Sequence, residues 1–484
     1  MLFNTFNFLF VFLPIVLIIA KIIKKYDNEN FLYIFLIFSS LYFYSYNFPK
    51  YLFLIIFSIT FNFIFSKVLI RIKEKKFKFA VFIIALSINI LLLMYYKYFN
   101  FILNNVNSLL GLEFINNDIR LPLAISFFTF QQIAFITSVY KNDIKKFKLV
   151  KYFLYISFFP QLIAGPIVKF NEFNPYLKKK NWNNILSNNY IKLGLIIFSI
   201  GMFKKIVISN YLASISDPLF FNINNNIILN TTECWVALLT FSLQIYYDFS
   251  GYTDMAIGLA LCFGIRLPIN FYSPYKATSI NKFWKKWHIT LSRFLREHIY
   301  IPLGGNKKGK IKTISNIFIT MLLGGIWHGA SWNFLIWGGY HAVLISIEKY
   351  IIKVRIFNKI ADNKALCKLL VFFLVTLGWI PFRCQDFNTT VIMLKTLFLF
   401  DESISLFNSK INLFNMILIS IILSLVFVFP NTYQIQKWIE EKSKNNTNIN
   451  FLLLLFVIVK LSIIFVILAT PSSNINREFI YFQF

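Results

Sequence analysis

The stretch IKTISNIFITMLLGGIWHGASWNFLIWGGYHAVLISIEKY, residues 311–350, decides how the rest of the chain is read. It is almost wholly apolar and carries a Trp-His-Gly-Ala run, Trp327 to Ala330, preceded by Gly324-Gly325. One membrane span needs about 20 apolar residues. The stretch is therefore either two tightly joined spans or one long helix broken near Gly324-Gly325, with His328 at the break. An ionisable side chain deep in an apolar span is costly in lipid and marks a site by default. Irregular backbone at that depth is tolerated only where it is buried in protein or lines a cavity. The chain has four histidines, His288, His298, His328 and His341. On a continuous helix His341 stands roughly 220° around from His328, so the two do not share a face. The competing reading of each is a packed, hydrogen-bonded core histidine.

Outward from this stretch the composition is uniform. The 484 residues are 57% hydrophobic, with a mean hydropathy of +0.63, far beyond a soluble globular chain. Apolar runs of about 17–22 residues recur along the whole length, which predicts an all-α polytopic membrane protein with one membrane domain over 1–484. The net charge is +29, and the basic residues cluster between apolar runs as they do in cytoplasmic loops. No soluble basic domain is present to hold nucleic acid. Cys234, Cys262, Cys367 and Cys384 lie singly, which predicts neither a metal site nor structural disulfides. The first run, Leu2–Ala20, is followed rather than preceded by Lys21, Lys24 and Lys25. That order predicts an uncleaved span with its N-terminus outside.

Spans read at about 3–20, 31–48, 50–66, 79–99 and 121–140, with Lys67 to Lys78 and Lys141 to Lys148 as cytoplasmic marks. Segment 152–168 contains Pro160, Gly165 and Pro166, so a broken or re-entrant segment is expected there. Lys204-Lys205 do not fit simple alternation with the apolar run 190–203, which leaves the parity open. Residues 232–263 read as a span or helix pair with Asp248 and Asp254 facing the interior. Asp248 shares a helix face with Tyr252, and a buried structural hydrogen-bond network is the alternative to a site. Further spans read at 366–383, 411–429 and 450–470, and the tail 471–484 ends outside on an aromatic cluster around Tyr481.

Residues 281–312 change character. Lys282, Lys285, Lys286, Arg293 and Arg296 interleave with Phe283, Trp284, Trp287, Phe294 and Leu295. This pattern predicts an amphipathic helix lying in the interface, followed by a basic loop from Gly304 to Gly309. One reading is lipid-headgroup anchoring. The other is a cytoplasmic docking surface for a polyphosphate-bearing donor.

YYDFSGYTDMAIGLALCFGIRLPINFYSPY (246–275), FWKKWHITLSRFLREHIYIPLGGN (283–306) and GGIWHGASWNFLIWGGYHA (324–342) resemble the membrane-bound O-acyltransferases. The similarity is to the branch holding the alginate and peptidoglycan O-acetylation membrane proteins. FFPQLIAGPIVKF (158–170), LAISFFTFQ (123–131), LGWIPFR (377–383) and the closing FIYFQF (479–484) resemble the same branch in the same order. The resemblance implies about 11 or 12 transmembrane or re-entrant helices around a central pore. It divides the domain into N-terminal helices (1–140), a catalytic core (141–350) and C-terminal helices with an extracytoplasmic tail (351–484). It also implies that His328 and His288 are the family's two catalytic histidines and that the cytoplasmic donor is acyl-CoA.

The expected activity is transfer of acetyl from acetyl-CoA across a bacterial inner membrane, both termini periplasmic, for O-acetylation of a cell-envelope polysaccharide. Peptidoglycan is favoured over alginate or another exopolysaccharide. His328 would act as the base and His288 would orient donor or acceptor. Lys285, Lys286, Trp287, Arg293, Arg296 and Asn306 would hold the CoA. The chain has no Ser-His-Asp domain of its own, so a separate periplasmic SGNH or esterase-like acetyltransferase is the expected partner. In the related teichoic-acid D-alanylation system a small partner ends in an aromatic motif similar to FIYFQF, which makes Tyr481 an acetyl relay or, alternatively, an interfacial anchor. Two rivals from other classes are a proton-coupled transporter or flippase using His328 and Asp254, and a non-catalytic scaffold.

Overall fold

The computed structural model describes residues 1–112, 119–227, 229–350, 363–398, 413–443 and 479–480, and every regular element among them is helical. They form two compact units. One is built on Met1–Ile200 with Thr253–Pro268, the other on Gly201–Tyr252 with Ile269–Lys444 and Arg477–Phe484.

In the first unit, helices Asn7–Lys25, Pro49–Arg71 and Lys75–Leu110 are long and apolar enough to cross a membrane. Only 33%, 33% and 28% of their apolar windows are buried inside the protein. Their outward faces carry Ile18, Phe53 and Leu91, which is the composition a lipid-facing surface requires. The inward faces are held by polar pairs. Asn62 and Asn89 exchange amide hydrogen bonds of 3.1 and 2.7 Å between the second and third of these helices. Gln132, on Ile125–Tyr140, donates to Ser58 Oγ and accepts from the Tyr152 hydroxyl. Buried amides without water must find partners, so these bonds fix the register of four helices.

The broken character read in 152–168 is present. Helix Leu149–Ser157 stops at Phe158, a short turn Phe159–Leu162 carries Pro160 near its start, and no regular helix follows before Phe170. This irregular backbone is buried from Phe158 to Ala164, the condition under which it survives at membrane depth.

The parity problem at Lys204-Lys205 has a physical answer. Helix Asn188–Met202 does not end there; it widens into a π-helical stretch, Phe203–Ser209, and continues as Asn210–Asn224. Lys205 is 4% exposed and ion-paired with the equally buried Asp248, and Lys204 Nζ donates to Thr432 Oγ1 at 2.8 Å. These lysines face protein, so neither marks a loop. Residues 232–263 are one helix, Thr231–Cys262.

The second unit contains the span Lys364–Arg383 and the bent pair Leu413–Val428 with Thr432–Lys442, which turns by 58°. The expected span at 450–470 and Tyr481 lie outside the described residues.

Stretch 311–350 is two helices, Lys310–His328 and Trp332–Tyr350. The break falls at Gly329–Ser331, not at Gly324-Gly325. Gly325 serves packing instead. A Cβ there would stand 2.2 Å from Phe334 O and 3.4 Å from Gly338 Cα, and a Cβ on Gly338 would stand 2.4 Å from Met321 O. Small residues at such a crossing let two membrane helices touch backbone to backbone.

Candidate active site

His328 is the last residue of its helix, and the connection after it is pinned from the far side. Ser331 Oγ accepts from Asn333 N at 3.1 Å. The Asn333 amide donates to Cys384 O at 2.9 Å, Asp386 O at 2.8 Å and Thr390 Oγ1 at 3.2 Å. A Cβ on Gly329 would lie 2.0 Å from the Phe334 ring, so no larger side chain fits beside the histidine.

The His328 ring is held edge-on by three aromatics, Trp327 and Trp337 at 4.9 Å each and Phe382 at 5.1 Å. It is 4% exposed. That residual surface opens on a cavity of about 380 Å³, walled by Trp284, Leu295, Met321 and Trp337, which reaches Arg296, Tyr300 and Lys349. Arg296 is exposed. The cavity thus runs from an apolar, imidazole-bearing end to a cationic one.

His288 sits at a second break. Its backbone is left-handed, φ +40°, between the short helices Ile280–Trp284 and Ile289–Leu295. The single amphipathic helix expected over 281–312 is therefore a chain of helical pieces, ending in a π-helical turn Arg296–Tyr300. His288 Nδ1 lies 3.1 Å from Asn270 Oδ1, which also accepts from Thr290 N at 3.2 Å and Thr290 Oγ1 at 3.0 Å. Because a main-chain N–H donates to that Asn270 atom, it is the oxygen. Nδ1 must therefore carry the proton, leaving the lone pair on Nε2, which meets no hydrogen-bond partner among the described residues. Burial lowers the His288 pKa to about 3, so the ring stays neutral. Trp327 stands between the two imidazoles, 5.8 Å from His288 and 4.9 Å from His328.

The residues read as CoA contacts divide. Arg296 lines the cavity. Lys285 and Asn306 are exposed, and Lys286 and Arg293 half-buried, but none of the four is on the cavity wall. The turn at Gly305 is fixed by Asn316 Nδ2 at 2.9 Å. Trp287 is 1% exposed and packed against Trp379 at 4.9 Å and Phe283 at 5.6 Å. That position is aromatic core, off the cavity wall.

His341 and His328 stand on different helices, so the one-helix angle does not apply. Both rings meet Trp337, His341 at 5.0 Å. Sequence reasoning missed Trp284, Trp337 and Lys349 as cavity residues. Lys349 carried a signal, since it is the basic residue that closes the apolar stretch. No group of three metal-ligating side chains stands together among the described residues.

The chain belongs to the membrane-bound O-acyltransferase family, MBOAT, which it matches over residues 117–388. It is a multi-pass membrane acyltransferase. It is 38% identical over 422 residues to the peptidoglycan O-acetyltransferase of Helicobacter pylori, covering 82% of this chain and 79% of that protein. It is 38% identical over 313 residues to the probable alginate O-acetylase AlgI of Pseudomonas syringae pv. tomato, covering 64% of this chain and 58% of that one. The teichoic acid D-alanyltransferase of Bacillus subtilis is 28% identical over 278 residues, covering 55% and 69%.

Proposed function

We propose that this chain, acting as one membrane domain, takes acetyl from acetyl-CoA at the cytoplasmic face of a bacterial inner membrane for O-acetylation of an extracytoplasmic polysaccharide. Peptidoglycan is the favoured polymer, because the relative that acts on it aligns over 82% of this chain. Alginate is the second reading, carried by the O-acetylase similarity.

The observation that supports the reading best is His328 at the inner end of a cavity whose other end is Arg296 and Lys349. A cationic mouth suits the phosphates of CoA, and the walls suit its thioester arm. His328 takes the proton of an attacking hydroxyl as the new C–O bond forms on the thioester carbonyl. The C–S bond breaks, and the proton passes to the leaving thiolate. Such acid–base help is worth about 10²–10⁴-fold. His288, neutral and with its Nε2 lone pair available, orients the acceptor. Arg296 holds the donor, with Lys285, Lys286 and Arg293 forming the outer basic surface, while Asn306 stands off the cavity wall and Trp287 packs in the aromatic core.

The acceptor hydroxyl is that of Tyr481. Its acetyl ester is then handed to a periplasmic SGNH or esterase-like acetyltransferase, and the phenol regains its proton. Both termini are periplasmic in this arrangement. The test is acetyl transfer by purified protein with and without the Tyr481 hydroxyl. Tyr481→Phe should abolish transfer, and undiminished transfer removes the relay. A transporter using His328 and Asp254 would consume no acetyl-CoA, and a scaffold would keep activity in His328→Ala.

A further inference from the structure

The buried pair Lys205–Asp248 does more than neutralise itself. Its carboxylate is divided. Oδ1 faces the Lys205 ammonium and Ser209 Oγ at 3.3 Å. Oδ2 accepts the main-chain N–H of Ile480 at 2.9 Å, from 232 positions further along the chain. Ile480 and Phe479 are 3% and 2% exposed, so these two residues are inserted in the second unit and do not lie on its surface. Phe479 packs on Tyr252 at 4.9 Å and on Phe249 at 5.4 Å. Phe249 is in turn 4.6 Å from the His288 ring. The seat of the tail is thus one aromatic ring away from His288.

We propose that Asp248 is a positioning residue: held by Lys205, it clamps the C-terminal segment through the Ile480 main-chain amide, beside the His288 ring. A purely structural ion pair needs neither the second oxygen nor the inserted tail. A main-chain N–H is kept by every substitution except proline, so the clamp fixes register while Phe479 supplies apolar fit. A hydrogen bond to a buried charge is about twice as strong as a neutral one, which suits a segment that must be held without help from water. The consequence for chemistry rests on reading Tyr481, the residue after Ile480, as the acetyl relay.

The test uses the full-length protein in nanodiscs and two variants that break the same bond from opposite sides. Asp248→Asn removes the charge. Ile480→Pro removes the N–H and leaves the ion pair intact. Hydrogen–deuterium exchange of the C-terminal peptide reads the seat, and exchange of peptides from 310–350 reads the fold. Both variants should speed exchange of the C-terminal peptide by about 10- to 100-fold, the span expected for a hydrogen bond to a charged group. The 310–350 peptides should be unchanged. Should Asp248→Asn fail to fold, Ile480→Pro alone decides. Wild-type exchange of the tail in Ile480→Pro overturns the clamp. Acetyl transfer should fall by the same factor in Ile480→Pro, and faster exchange with undiminished transfer overturns the positioning role. Tyr481→Phe separates the two ideas: it should lose transfer while keeping wild-type exchange. If it transfers normally, the relay fails and exchange still decides the clamp.

Discussion

Replacing Gly325 by alanine adds one methyl group at the backbone contact between the two helices beneath the site. That Cβ would stand 2.2 Å from Phe334 O and 3.1 Å from Phe334 C, both backbone atoms. An ordinary carbon–oxygen contact is about 3.3 Å or longer, so Lys310–His328 and Trp332–Tyr350 must separate by about 1 Å at this level. No rotamer change can relieve it. Overpacking of this kind costs about 1–3 kcal/mol. His328 lies three residues further on and moves with its helix, and a misplacement of about 1 Å in a reacting group costs about 10²-fold in rate. Gly339→Ala is the control, because its Cβ would meet nothing nearer than Leu322 Cδ2 at 3.9 Å. The assay is thiol release from acetyl-CoA by protein in nanodiscs, together with thermal unfolding. Gly325→Ala should lose about two orders of magnitude of turnover, and Gly339→Ala should keep it. Equal turnover in the two variants refutes the claim that glycine contact places the histidine.

Asn333→Ala removes an amide that donates to Cys384 O, Asp386 O and Thr390 Oγ1; stability should fall by about 1–3 kcal/mol, the cost of leaving buried acceptors unmet, measured by denaturation in detergent. Arg296→Ala should raise KM for acetyl-CoA about tenfold with kcat little changed, as expected for a lost charge-assisted contact, whereas Asn306→Ala, off the cavity wall, should leave KM alone. His288 has its pKa depressed from 6.5 to about 3 by burial. A depressed folded-state pKa means its contribution is present above 6.5 and lost as pH falls toward 3. Wild type should therefore lose stability as pH falls below 6.5, and His288→Gln should show a shallower stability profile.

Much of this was legible in the sequence because lipid permits few solutions. Apolar runs announced the helices, and an imidazole at the break between two of them, His328, marked the candidate site. The misreadings share a cause. Gly324-Gly325 look like a helix break, yet glycine at a membrane crossing more often serves close approach; the chain breaks at Gly329, where the Phe334 ring fills the space a side chain would take. Lys204-Lys205 look like a loop because a sequence does not show that Asp248, 43 positions away from Lys205, waits inside. Trp287 looks interfacial beside lysines, yet a local turn at His288 carries it into the core. Each outcome depends on a partner distant in sequence, which periodicity cannot reveal.

The central claim is that one imidazole in the bilayer moves an acetyl group between compartments. The direct measurement loads proteoliposomes with labelled acetyl-CoA on the side of the basic loops and follows label appearing on a hydroxyl acceptor on the other side. Wild type should deliver label across the intact membrane, and His328→Ala, with wild-type folding, should deliver none above background. Delivery by His328→Ala at the wild-type rate contradicts the account.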